Sequence, residues 1–263
     1  MLAKKYIYGF NLNMYINAVE LSENAVKSIV NQGKIGHCCF LASVHALGRS
    51  TSGEKIIKNN IQTLGDKFIV RYADIKGKER FFEVTKEDFK KYLKRIKFGE
   101  NAKVELTPFR AIAASWDKAV QKFPSLKNIF IRMAHSHDCA GEWNTASNFM
   151  KSFTGEKPIS VGDKFVAPLF FRLIKANKLL NKMVKLTHKD YSFVVGTGGT
   201  TDSMEKTKIC TDHYYSVLNV TKKDITLSDP GKPTKEIITI TRKELMNNFR
   251  SICGYFWKAG GAQ

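Results

Sequence analysis

The chain has 263 residues, 43% of them apolar and 25% charged, close to the average of globular domains. That balance excludes a disordered chain, a coiled coil and a fibrous protein. Forty-three Lys and Arg against twenty-four Asp and Glu give a formal charge of +19, a field that attracts acidic partners. The excess is mostly Lys, spread along the whole chain among Asn and Ile. A nucleic-acid site more often clusters Arg or Lys with interleaved aromatics. No specific nucleic-acid partner is therefore expected; an acidic protein or an anionic surface suits the charge better.

In chain order, Cys38 to Leu47 has apolar residues at 40, 41, 44 and 47, a helical period. The segment GRSTSGEK (48–55) reads as a loop that ends this helix. Residues 67–73 and 80–84 read as a hairpin about a turn at 76–78. Thr85 opens an amphipathic helix with a capping-box-like start. Further helices are expected over 111–122, ending before Pro124, over 144–153, and over 167–186. The pattern then turns to strands at 191–195, 214–220, 224–229 and 237–241, and a closing helix begins at Thr241. Helices in front and strands behind imply an α+β fold with segregated elements. The boundary falls near 150–190 and is set at a helix-rich lobe, 1–160, and an antiparallel β-rich lobe, 161–263.

The five cysteines, Cys38, Cys39, Cys139, Cys210 and Cys253, are odd in number and irregular in spacing. No disulfide framework or paired zinc motif follows, and free thiols in a reducing compartment are the simplest reading. No apolar run approaches the roughly 20 residues of a membrane-spanning helix. The first ten residues, MLAKKYIYGF, lack the apolar stretch and cleavage site of a signal peptide. A cytoplasmic protein, or one delivered into another cell's cytosol, is expected.

Three segments carry candidate chemistry. In NQGKIGHCCFLAS (31–43), a glycine-bearing polar run leads into a helix whose first turn holds Cys38. The positive end of a helix dipole favours a thiolate there, and the upstream Gln32 amide could donate to an oxyanion. In DHYYSV (212–217), His213 at the start of an apolar strand could take the thiol proton. In LSDPG (227–231), Asp229 could orient the imidazole. Singly, each segment has a plainer description: a packed cysteine, a surface histidine, and an Asp-Pro-Gly turn. A helix-borne Cys, a distant His and a nearby downstream Asp are together the general thiol-hydrolase arrangement.

These residues give the chain a resemblance. It is similar to the protease core of the calpain family of papain-like cysteine proteases. QGKIGHC (32–38) resembles the family's Q-G-x-x-G-D-C-W, and Leu41-Ala42-Ser43 its L-A-A. HYYSV (213–217) resembles H-A-Y-S-V, and LSDP (227–230) resembles L-R-N-P-W-G. Weaker similarities at 68–72, 116–122, 149–155 and 240–249 follow in family order, so the resemblance runs from about residue 30 to 255.

The resemblance implies a two-lobed papain-like core with its active site between the lobes, acting as a cysteine endopeptidase on protein or peptide substrates. Cys38 would be the nucleophile, His213 the base and acid, Asp229 its orienting partner and Gln32 an oxyanion donor. By register Cys39 falls at the family's Trp. Asp229 replaces the usual Asn, Gly231 stands where a shielding Trp is usual, and His37 replaces an Asp. Cys-His-Asp is also the set of transglutaminases and glutamine deamidases, which makes thiol acyl transfer the broader expectation. A catalytically silent calpain-like binding module is the alternative outside enzymology. Calpain cores bind calcium through acidic loops; no regular calcium loop is visible here, and no cofactor is expected.

Other segments carry less. His135, His137, Asp138 and Cys139 lack the second ligand pair of a structural zinc site and read as a polar loop. The glycine-rich stretch 196–199 lacks the Lys-Ser/Thr of a phosphate loop. The Lys-rich amphipathic stretch Leu173 to Leu186 either lies on an acidic membrane or packs its apolar side on the core.

Overall fold

The computed structural model describes residues 38–73, 77–95, 106–122, 145–162, 169–198, 209–210, 213–230, 237–258 and 261–262. The first described element is helix α1 (Cys38–Gly48), every residue of which is buried. Its sequence, CCFLASVHALG, carries no acid and no Lys or Arg, and a helix apolar all round belongs in a core. Helix α2 (Thr51–Asn60) follows at once, which corrects the loop expected over 48–55. The Ser50 hydroxyl accepts from the Gly53 amide at 3.1 Å, capping α2. Gly53 is there for contact: a Cβ would run into the Leu47 carbonyl of α1.

Strands β1 (Ile61–Leu64), β2 (Lys67–Ala73) and β3 (Glu79–Val84) form a three-stranded antiparallel sheet. The expected hairpin thus gains a third strand that the sequence reading lacked. Helices α3 (Lys86–Arg95), α4 (Pro108–Lys122) and α5 (Thr145–Thr154) complete this half. Thr85 and Asp88 cap α3 reciprocally, each side-chain oxygen accepting the other's backbone N–H at 3.1 Å. The core beneath is aromatic: Phe40 of α1 stacks on Trp116 of α4 at 5.2 Å and meets Phe149 of α5 edge-on at 4.7 Å.

The rest of the chain builds a seven-stranded sheet from β4 (Ile159–Val161), β5 (Tyr191–Thr197), β6 (Tyr214–Val220), β7 (Asp224–Ser228), β8 (Ile237–Thr241), β9 (Phe249–Lys258) and β10 (Gly261–Ala262). Its order is β10-β9-β5-β6-β7-β8, with β4 also pairing β9, and every pairing is antiparallel. Helix α6 (Leu169–Met183) precedes β5, and α7 (Arg242–Asn247) lies between β8 and β9. The closing helix expected at Thr241 is therefore only six residues long, with a complete capping box between Thr241 and Glu244. The chain then returns to the sheet as β9, beside β5.

Alternation along the central strands separates two cores. Val194, Tyr214, Cys253, Tyr255 and Trp257 join α1 and the N-terminal helices on one face. Phe193, Val195, Tyr215, Ile252 and Phe256 join α6 on the other. A side-chain period of two places successive residues on opposite faces. Gly254 sits where β9 passes closest to β5, since a Cβ there would run into the Ser192 carbonyl. Among the described residues no helix is long and apolar enough to cross a membrane. The molecule is α+β, with helices packed on antiparallel sheets.

Candidate active site

Cys38 is the first residue of α1 and is only 7% exposed. Helix α1 packs across β5 and β6, which brings its N-terminal end towards the start of β6. His213 immediately precedes that strand. Its backbone carbonyl accepts from the Thr197 amide at 2.9 Å and from the Thr197 hydroxyl at 3.2 Å, so β5 fixes its position. Its ring lies edge-on to Tyr215 at 4.7 Å between centroids. Asp229 immediately follows β7 and is buried. The β6–β7 pairing sets Ser216 opposite Ser228; the residues just before β6 and just after β7 therefore emerge at the same end of the sheet.

At that end, Nε2 of His213 lies 2.8 Å from Oδ1 of Asp229. The Cys38 thiol lies near enough to the same ring to act on its protonation. With Nε2 engaged by the carboxylate, Nδ1 is the ring nitrogen left for the sulfur. Burial opposes a charged ring here. The hydrogen bond that the ring donates to Asp229, and the nearby Cys38 thiol, with the negative charge each can carry, outweigh burial and raise the His213 pKa to about 10. The site thus stabilises the imidazolium that forms when the ring takes up the thiol proton.

The neighbouring Cys39 is 1% exposed and belongs to the core cluster around α1. Of the adjacent pair, Cys38 is the thiol that meets the histidine. Gln32 and His37 lie outside the described residues, as do the His135–Cys139 segment and Gly231. The strand expected to stop at Val195 runs on to Thr197, so Gly196 is part of β5, close against the Tyr214 ring.

A buried link was not foreseen from the sequence. Ser216, on β6, donates its hydroxyl to the Ala42 carbonyl of α1 at 2.8 Å. Its proton committed, the same oxygen accepts from Nδ1 of His45 at 3.0 Å. Ala42 lies one helical turn after Cys38, and Ser216 lies three residues after His213. The link therefore fixes the helix bearing the thiol on the strand bearing the imidazole. His45 is buried, and desolvation, then the nearby Arg49 cation, lower its pKa to about 4. The signal for this link was available, because a Ser on the inward face of an apolar strand needs a partner.

A thiol, an imidazole that can accept its proton and a carboxylate that holds the imidazole form a nucleophile, base and orienting group. Such a set can carry an acyl group from a carbonyl substrate to water or an amine. Compared with models of known protein families and with curated proteins, the chain gives no match.

Proposed function

We propose that this protein is a papain-like cysteine hydrolase, acting on peptide bonds through Cys38, His213 and Asp229. The observation that carries the reading is the His213–Asp229 pair at 2.8 Å, beside the Cys38 thiol at the N-terminal end of α1. In this reading the α1 side and the sheet side are the two halves of a papain-like core, with substrate between them.

The reaction starts with transfer of the Cys38 proton to Nδ1 of His213. The sulfur attacks the substrate carbonyl carbon, and the carbonyl electrons move to oxygen. The Cys38 backbone N–H, at the positive end of α1, and by resemblance the Gln32 amide, donate to that oxyanion. His213 passes its proton to the leaving nitrogen as the C–N bond breaks. Water, deprotonated by His213, then attacks the thioester; the acid leaves and the thiol is restored. Asp229 keeps the ring oriented and stabilises its cationic form throughout.

Mass spectrometry of an unfolded model protein incubated with wild type and with Cys38→Ala tests this. Fragments made only by wild type establish a cysteine protease, and equal activity of the two proteins sinks the assignment. The carboxylate in the third position favours one second reading, a glutamine deamidase or transglutaminase. There the same thioester forms from a Gln side chain with release of ammonia. An intact substrate with the small mass gain of amide-to-acid conversion, or a crosslinked product, marks that outcome.

A further inference from the structure

We infer that the outward face of α6 is a docking surface for an anionic lipid membrane. The inference is independent of the thiol chemistry. The buried arc of this helix, Ala176, Leu180 and Met183, packs into the core on the α6 side of the large sheet. That contact uses up the apolar stripe which an amphipathic helix ordinarily owes to the core. Yet the opposite arc also carries large apolar side chains. Phe170 is 68% exposed, Phe171 55% and Ile174 37%. The two Phe rings pack edge-on against each other at 5.9 Å.

Apart from Asn181, the rest of the exposed arc is cationic. At about 100° per residue, the exposed positions 170, 171, 174, 175, 178, 181 and 182 fall within an arc of about 140°. Phe170, Phe171 and Ile174 occupy its first turns. Lys175 and Lys178 follow, then Lys182, whose ammonium lies 4.0 Å over the Phe256 ring; Lys185 and Lys189 continue beyond the helix, both exposed. Between Leu169 and Lys189 there is no Asp or Glu.

Aromatic rings grouped at one end of a lysine row fit the boundary layer of a bilayer. The rings enter the acyl region, and the ammonium groups meet phosphate and carboxylate headgroups. An acidic protein or a nucleic acid accounts for the lysines without needing the Phe pair beside Ile174. Helix α6 and α1 cover opposite faces of the sheet, so docking leaves the Cys38 helix on the side away from lipid.

Co-sedimentation of the full chain with sucrose-loaded vesicles tests the proposal. One set is phosphatidylcholine alone; the other contains about one third phosphatidylserine, to supply the anionic headgroups. Wild type is expected to pellet with the anionic set and to be released as salt rises. Phe170→Ser with Phe171→Ser leaves the net charge unchanged and is expected to weaken that binding at least about tenfold. Lys175→Glu with Lys178→Glu is expected to weaken it about as much. All four positions are exposed, and circular dichroism checks that the variants stay folded. Wild type that ignores anionic vesicles overturns the proposal. So does a double-Phe variant that pellets like wild type, which would leave only diffuse charge. Binding to a poly-glutamate peptide or a single-stranded oligonucleotide that the double-Phe variant loses, with no vesicle binding, reassigns the face to that partner and likewise overturns it.

Discussion

Acid should loosen the link between the thiol helix and the imidazole strand, and the size of the effect can be worked from His45. Because the Ser216 hydroxyl gives its proton to the Ala42 carbonyl, His45 must donate from Nδ1, and an added proton has to go to Nε2. That places a cation in the core, with Arg49 near. The pKa is about 4 folded against 6.5 for a free side chain. A depressed folded pKa gives stability that is complete above the unfolded value and lost as pH falls through the folded one. Two and a half pH units at about 1.36 kcal/mol each set a limit of about 3.4 kcal/mol. By pH 4.5 the loss is about 2.5 kcal/mol. The assay is urea denaturation at pH 8 and pH 4.5 for wild type and His45→Asn. The Asn amide can still donate to Ser216 but does not titrate. The variant is expected to be less stable at pH 8 by about 1–3 kcal/mol, from lost packing. It should, however, lose about 2.5 kcal/mol less than wild type between the two pH values. Carboxylates that titrate in both proteins cancel in this difference. Equal losses in the two proteins would refute the reasoning, because His45 would then not be held neutral by burial.

Three further outcomes follow from the site. Cys39→Ala should keep nearly full activity and Cys38→Ala none, read by fragment mass spectrometry and by labelling with an alkylating thiol probe. Asp229→Asn should lower the His213 pKa from about 10, because a charged acceptor becomes neutral; NMR titration of the imidazole reads this directly. The sign in stability is opposite to that of His45: a raised pKa stabilises below 6.5 and the gain is lost as pH rises towards 10. Asp229→Asn should therefore flatten the alkaline decline in wild-type denaturation midpoints. Ser216→Ala leaves the buried Nδ1–H of His45 without its acceptor and should cost about 1–3 kcal/mol. It should also slow Cys38 alkylation relative to that of exposed Cys210 within the same molecule, a ratio that stability loss alone does not move.

The elements that were legible in the sequence are those whose two faces differ, or whose ends carry a recognisable stop. Strands β6 and β8 begin and end where the pattern placed them, at 214–220 and 237–241. Helix α1 was readable from its apolar spacing. Strand β9 was not. Flanked by β5 on one side and by β4 and β10 on the other, with its described side chains buried on both faces, it shows no alternation to read. Its Gly254, which weakens a strand in isolation, is there because β5 comes too close for a Cβ. The start of α2 was hidden for a related reason. A polar, glycine-bearing run reads as loop, but Ser50 serves as a cap and Gly53 as a contact with α1.

Cys38, His213 and Asp229 could be picked from the sequence because their chemistry is rare in that order; what brings them together could not. Two features set their geometry. The first is the antiparallel β6–β7 pairing, which returns the chain to the end from which it left and so brings Asp229 back beside His213. That much is implicit in any tight hairpin. The second joins residues 174 positions apart, Ser216 to Ala42, and its information is divided between two unremarkable residue types. A serine on an inward strand face announces that it needs a partner but not which one, and an alanine in a helix announces nothing. Only burial makes the hydroxyl's choice of acceptor compulsory, because leaving it unmade costs more than the bond itself yields in water. The helix that bears the thiol and the strand that bears the imidazole are therefore held together by a hydrogen bond between two other residues. A search confined to reactive side chains passes over it.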